Sequence, residues 1–190
     1  MSVPTSYEII VTVDNASVMG CEEPLSIPYL CDHKIFCQLV TETKDPQKWN
    51  ALVMGSGTHA LLRAKKSYAK IEKQCLEIIV KHRALPEDQK DVGSAKSFIQ
   101  AVQVASQMPE IERVFVIGGP KLINTAYKTH KWKHVHIFAW EGTFEKPTVE
   151  LSKFDVTVGK GDPEEDGYPY AKGEHTFNYW FWTRTAPMSA

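Results

Sequence analysis

The sequence predicts an α/β domain in which helices cover both faces of a mainly parallel sheet with an antiparallel C-terminal edge. From residue 7 to about 129, apolar strand-like runs alternate with helix-like stretches, an order that requires crossover connections and so parallel strands. Beyond about residue 134 the strand-like runs follow one another with no helix between them, which suits antiparallel pairing. No internal repeat or low-complexity linker breaks the pattern. Residues 1–190 therefore read as a single three-layer domain, long enough to bury one core.

Each element has its own justification. "YEIIVTV" (7–13) is an apolar, β-branched run that fits a strand covered on both faces. "DHKIFCQLV" (32–40) puts Ile35, Phe36, Leu39 and Val40 on one helical stripe, with Asp32 at its entrance. "WNALVMG" (49–55) is a strand ending at glycine, and Thr58 is placed to cap the short helix after it. "CLEIIV" (75–80) is a third strand, and 94–107 is a helix with Phe98, Ala101, Val102 and Ala105 inward. "RVFVIGG" (113–119) leads into a helix over about 120–129. Strands are then expected at 134–140, 151–158 and 174–184, with a turn-rich loop at 160–174 before the last.

The formal net charge of −1 gives no overall attraction to nucleic acid or anionic membrane. Charge is uneven locally: 63–83 is basic and 141–166 acidic, each read first as a solvated face and second as a docking surface. Nothing approaches the ~18 consecutive apolar residues of a membrane span, and the N-terminus lacks a secretory or transit pattern. Cysteines at 21, 31, 37 and 75 show no Cys-x-x-Cys spacing, which favours a reducing, intracellular compartment. The expectation is cytoplasmic, with mitochondrial import left open. His134 and His136 alternate on a strand without a visible third ligand, so no metal site is assigned.

Four segments, in order, resemble dihydrofolate reductase: "VTVDNASVMG" (11–20), "WNALVMGSGTHALL" (49–62), "PEIERVFVIGG" (109–119), and the helix carrying Asp32 and Phe36. The resemblance spans nearly the whole chain and implies a dihydrofolate reductase-like fold with NADPH as hydride donor. It implies that Asp32 is the active-site carboxylate and that Thr12 and Phe36 contact a pterin substrate. It also implies that Gly20, Gly55, Thr58, Lys81, His82, Gly118, Gly119 and Lys121 contact the cofactor. A carboxylate in an apolar cleft suits proton supply because desolvation raises its pKa. Helix capping is the plainer role for Asp32, as solvent exposure is for Lys81, His82 and Lys121.

The chain also departs from the family pattern. Ser26 and Ile27 stand in place of a Pro-Trp pair, and Phe138 in place of a threonine bonded to the carboxylate. Cys75 replaces an arginine that grips the folate tail, a contact typically worth ~1.5–3 kcal/mol. Ser56 and His59 replace a cofactor-site arginine and a tryptophan, and Pro120 removes a backbone donor. The losses fall on site residues rather than on scaffold. They point to a relative without catalysis that serves as a structural or assembly subunit of a larger complex. Trp180 and Trp182, on one face of the last strand, are candidate partner contacts. The alternatives are an active NADPH-dependent reductase of dihydrofolate or a related pterin, and an NADPH-binding regulator. A pyrimidine reductase of riboflavin synthesis shares a related fold and is the more distant option.

Overall fold

In the computed structural model the described residues are 6–13, 30–31, 33–81, 93–129, 131–140, 168–172 and 175–183, with backbone alone at 139–140, 168–172 and 175–183. The expected strand at 151–158 lies outside them.

The strands are β1 (Tyr7–Val13), β2 (Trp49–Gly55), β3 (Cys75–Val80), β4 (Gly93–Ala95), β5 (Ile111–Gly118), β6 (Trp132–Trp140), β7 (Tyr168–Lys172) and β8 (His175–Thr183). They form one sheet in the order β4-β3-β2-β5-β1-β6-β8-β7. Every pairing from β4 across to β6 is parallel, while β8 runs antiparallel to both β6 and β7. The α/β class, the parallel sheet and its antiparallel edge are thus as the alternation of elements predicts.

Helices α1 (Lys34–Thr41), α2 (Ser56–Arg63) and α3 (Tyr68–Glu72) cover one face of the sheet, and α4 (Phe98–Gln107) and α5 (Pro120–Lys128) the other. Because strand side chains alternate, each strand divides its residues between two cores. Ile9, Val11, Val53, Val116 and Val135 join Phe98, Ala101 and Ile123 in one. Ile10, Leu52, Phe115 and Phe138 join Phe36, Val40, Leu62 and Tyr68 in the other. All seven β1 residues are buried, Glu8 and Thr12 among them, as a strand covered on both faces requires.

Four local expectations are corrected. Thr58 does not cap α2: Gly55 holds the cap position, without a side-chain bond, and Thr58 lies inside the helix. α1 starts at Lys34 with His33 at its cap position, so the helix does not begin at Asp32. Residues 93–95 pair with β3, and the helix after them starts at Phe98 because Ser97 accepts a hydrogen bond from the Gln100 N–H at 3.2 Å. Within the stretch read as a loop, 168–172 is a strand; its Pro169 is tolerated because β7 is an edge.

Side chains tie helices to the sheet at fixed points. Asn50 Nδ2 donates to the carbonyls of Val40 and Glu42 at 3.0 and 2.9 Å, satisfying acceptors at the end of α1. The Tyr7 hydroxyl donates to the Ala126 carbonyl at 2.6 Å, fixing α5 on β1.

Candidate functional site

The carboxyl ends of β2, β3 and β4 and the turn after β5 open onto one cleft of about 610 Å³. Gly55, Val80, Lys96, Ser97, Gly119 and Lys121 lie along it. That volume is in the range of small-molecule and cofactor sites. The position, outside the carboxyl ends of parallel strands, is where open α/β sheets take their ligands.

The Gly118–Gly119 pair is built into the wall. Gly118 has φ +135°, a conformation that side chains disfavour, and the bond between the two glycines is cis. A methyl group at Gly118 would lie 3.2 Å from Thr58 Oγ1, and one at Gly119 would lie 3.4 Å from the same oxygen. Gly55 backs onto the pair, with a methyl there 3.6 Å from the Gly119 nitrogen. Gly119 caps α5, and Pro120 occupies its first turn, where a missing N–H costs little.

The residues present fit the phosphate-bearing part of a dinucleotide. Two helix N-termini, of α4 and α5, meet two lysines at the cleft. Of the expected cofactor residues, Gly55, Gly119 and Lys121 line it, while Gly118 and Thr58 do not, Thr58 lying against the two glycines. Lys81 directly follows the lining residue Val80 and gives its backbone N–H to the Ala95 carbonyl at 2.9 Å. Gly20 and His82 lie outside the described residues. Lys96 and Ser97 were missed by the sequence reading, which ran the helix back through them. The Ser97-x-x-Gln100 spacing was the available signal.

On the other face of the sheet, where the resemblance puts a pterin, aromatic rings pack together. Phe138 is fully buried, edge-on to Phe36 at 6.1 Å between centroids and to His33 at 5.3 Å. Phe36, the ring expected against substrate, is itself fully buried. Thr12 pairs in register with Phe138 across β1 and β6, and its hydroxyl is buried with no hydrogen-bond partner among the described residues. Asp32 lies outside the described residues.

At the position of the expected folate-tail arginine, the Cys75 thiol donates to the Val40 carbonyl at 3.2 Å. Burial and the nearby Glu77 carboxylate push that thiol up to about 12. Glu77 is buried nearby on the same strand, 5% exposed.

A second polar group lies toward the other ends of the strands. Arg113 donates to both Glu8 carboxylate oxygens, at 2.9 and 2.7 Å, and its guanidinium sits 4.5 Å over the Phe115 ring. His136 Nε2 is 2.7 Å from Glu8 Oε2. Burial alone would raise the Glu8 carboxyl, but hydrogen bonds and charge from His136 and Arg113 outweigh it and bring the carboxyl down to about 2. Burial lowers His136 against the pull of Glu8. His136 thus serves strand packing, and among the described residues no three His, Cys, Asp or Glu side chains gather as a metal site.

These features define an α/β protein with a cleft at the carboxyl ends of its parallel strands. No family model matches the chain. A dihydrofolate reductase of Candida albicans is 25% identical to it over 214 residues, spanning 97% of this chain and 100% of that protein. Bifunctional dihydrofolate reductase-thymidylate synthases of Glycine max and Arabidopsis thaliana are 24% and 23% identical, over 94% and 90% of this chain. The chain spans 33% and 31% of those two proteins. The structure of Schistosoma mansoni dihydrofolate reductase superposes with a TM-score of 0.73 at 20% identity, covering 94% of this chain and 97% of that one. The chain has the dihydrofolate reductase fold and is a dihydrofolate reductase-like protein. No helix among the described residues is long and apolar enough to cross a membrane.

Proposed function

We propose that this dihydrofolate reductase-like protein does not reduce dihydrofolate and serves as a structural or assembly subunit of a larger complex. The observation that carries the reading is Phe138, fully buried between His33 and Phe36 where the resemblance expects a hydroxyl and a pterin ring. The Cys75 thiol in place of a cation removes the tail contact as well. Backbone pairing places Trp180 and Trp182, the proposed partner contacts, opposite Ile137 and Val135.

The test has two arms. Purified protein mixed with NADPH and dihydrofolate leaves the NADPH absorbance unchanged, and native protein from a gentle lysate elutes well above the mass of one 21.5 kDa chain. NADPH consumption would establish the alternative, an active dihydrofolate or pterin reductase, and elution as a free monomer would remove the subunit role.

A second reading is favoured by the cleft beside Gly118 and Gly119: an NADPH-binding regulator without chemistry. It expects NADPH to raise the melting temperature, since a ligand selective for the folded state stabilises it by mass action. A melting temperature unmoved at millimolar NADPH would end it.

A further inference from the structure

We infer that the outer face of α4, with Trp49 at its end, is a self-association surface through which two copies of this chain pair about a twofold axis at Gln103. The inference concerns the purified chain alone and does not depend on the subunit reading.

α4 differs from the other described helices. No charged side chain occurs from Ser97 to Pro109, whereas α1, α2, α3 and α5 each carry at least one Lys, Arg or Glu. Its inner side is committed to the core through Phe98, Ala101, Val102 and Ala105. At about 3.6 residues per turn, the outer ridge is then Gln100, Gln103 and Gln107, with Ile99 on one flank and Val104 on the other. All five are exposed, Ile99 to 60% and Val104 to 43%. Trp49 extends this surface. It alternates with Ala51 and Val53, which lie in the core under α4, and its N–H donates to the Glu110 carbonyl at 2.8 Å, just past the helix end. Four large apolar side chains are exposed among the described residues, and Trp49, Ile99 and Val104 are three of them. Gathered on one uncharged surface, they have the composition of an interface core.

The charges beyond the two ends of α4 specify the occupant. Lys96 precedes the helix and Glu110 follows it, each seven residues from Gln103 and each exposed. Neither is held in an ion pair among the described residues. A second copy laid antiparallel sets Lys96 of each beside Glu110 of the other, whereas a parallel copy sets like charges together. The face is therefore complementary to itself, as a twofold contact requires. Gln103 falls at the midpoint and meets its own copy. Its amide is both donor and acceptor, so two such groups can satisfy each other. Val104, one residue from the midpoint, meets its own copy as well. The helix is about 15 Å long, and even with Trp49 the contact is smaller than the ~800 Å² per partner of a standard interface. A weak, reversible dimer follows.

The test is sedimentation of the purified full chain from micromolar to near-millimolar concentration. The wild type is expected to move from the mass of one chain toward that of two. Gln103→Glu and Gln103→Lys each place like charges at the axis and should weaken self-association about tenfold or more. Mixed in equal amounts, the two variants should recover the dimer, because opposite charges then meet at the axis. Leu61→Glu, on the exposed side of α2, should leave the dimer unchanged. Gln103 is exposed, so both of its variants should melt with the wild type at low concentration, where the chains are apart. A dimer indifferent to both Gln103 variants overturns the inference, and a mixture that fails to recover the dimer overturns the twofold arrangement. A wild type that keeps the mass of one chain throughout also overturns it, even where the native protein runs in a larger assembly, which leaves the subunit reading standing.

Discussion

Phe138 meets Phe36 edge to face, with ring centroids 6.1 Å apart and planes at 74°. The pair packs β6 against α1 on the face of the sheet where the proposed function expects no substrate to enter. Phe138→Ala should therefore cost about 3–5 kcal/mol of stability in urea denaturation, as large-to-small changes in buried aromatics do. Phe138→Thr should cost less and gain something: a diaminopteridine antifolate that leaves the wild-type melting temperature unmoved should raise that of the variant. An equal response from both proteins would mean that Phe138 does not block the pocket.

The Glu8 group makes the fold acid-sensitive in two stages. Its carboxyl is brought down to about 2 from 4.5, so its contribution is fully present above 4.5 and is lost as pH falls through that interval. The shift corresponds to about 3 kcal/mol. His136, lowered by burial, acts in the same direction, because protonation below its unfolded value of 6.5 favours the unfolded chain. Stability measured by urea midpoint should decline below about pH 6.5 and more steeply below about pH 4.5. Glu8→Gln should flatten the lower limb and leave Arg113 without its carboxylate.

Gly118, directly before the cleft residue Gly119, should be hard to replace. Gly118→Ala forces a side chain into φ +135° and against Thr58, a cost of about 1–3 kcal/mol. Adding Thr58→Ala removes the contact but not the backbone strain, so chemical denaturation of the double variant should show only partial recovery. Complete recovery would assign the whole cost to the contact.

Cys75 should resist thiol reagents in the folded protein. Its thiol is 3% exposed and pushed up to about 12, so almost no thiolate exists at neutral pH. Alkylation followed by mass mapping should mark the half-buried Cys37 before Cys75, and mark Cys75 only once denaturant unfolds the chain. Early modification of Cys75 would contradict the packing of this wall.

How far the sequence could be read follows from what kind of signal each feature leaves. β1, β2 and β3 were legible to the residue because each is a mostly apolar, β-branched run with polar flanks, broken only by Glu8 and Thr12, Asn50 and Glu77. α3 was not, since five residues hold a single inward pair, Tyr68 and Ile71, too few to show a period. β7 hid behind its proline and turn-rich neighbours. Within the site, the glycine pair announced itself by composition. Glu77 and His59 could not be paired in advance: one sits on a strand, the other on a helix, and only the crossover between β2 and β3 brings them together.

The sheet order carries a consequence for synthesis. β1 lies between β5 and β6, yet among the described strands it is made first. On a ribosome adding ~5–20 residues per second, roughly a hundred residues pass, over about 5–20 s, before its first partner strand emerges. Every β1 residue is buried in the finished protein, so during that interval the chain trails a largely apolar, unpaired strand whose Glu8 still lacks Arg113. This segment is where a holdase would be expected to bind the nascent chain, and where a stalled or truncated product would begin to aggregate.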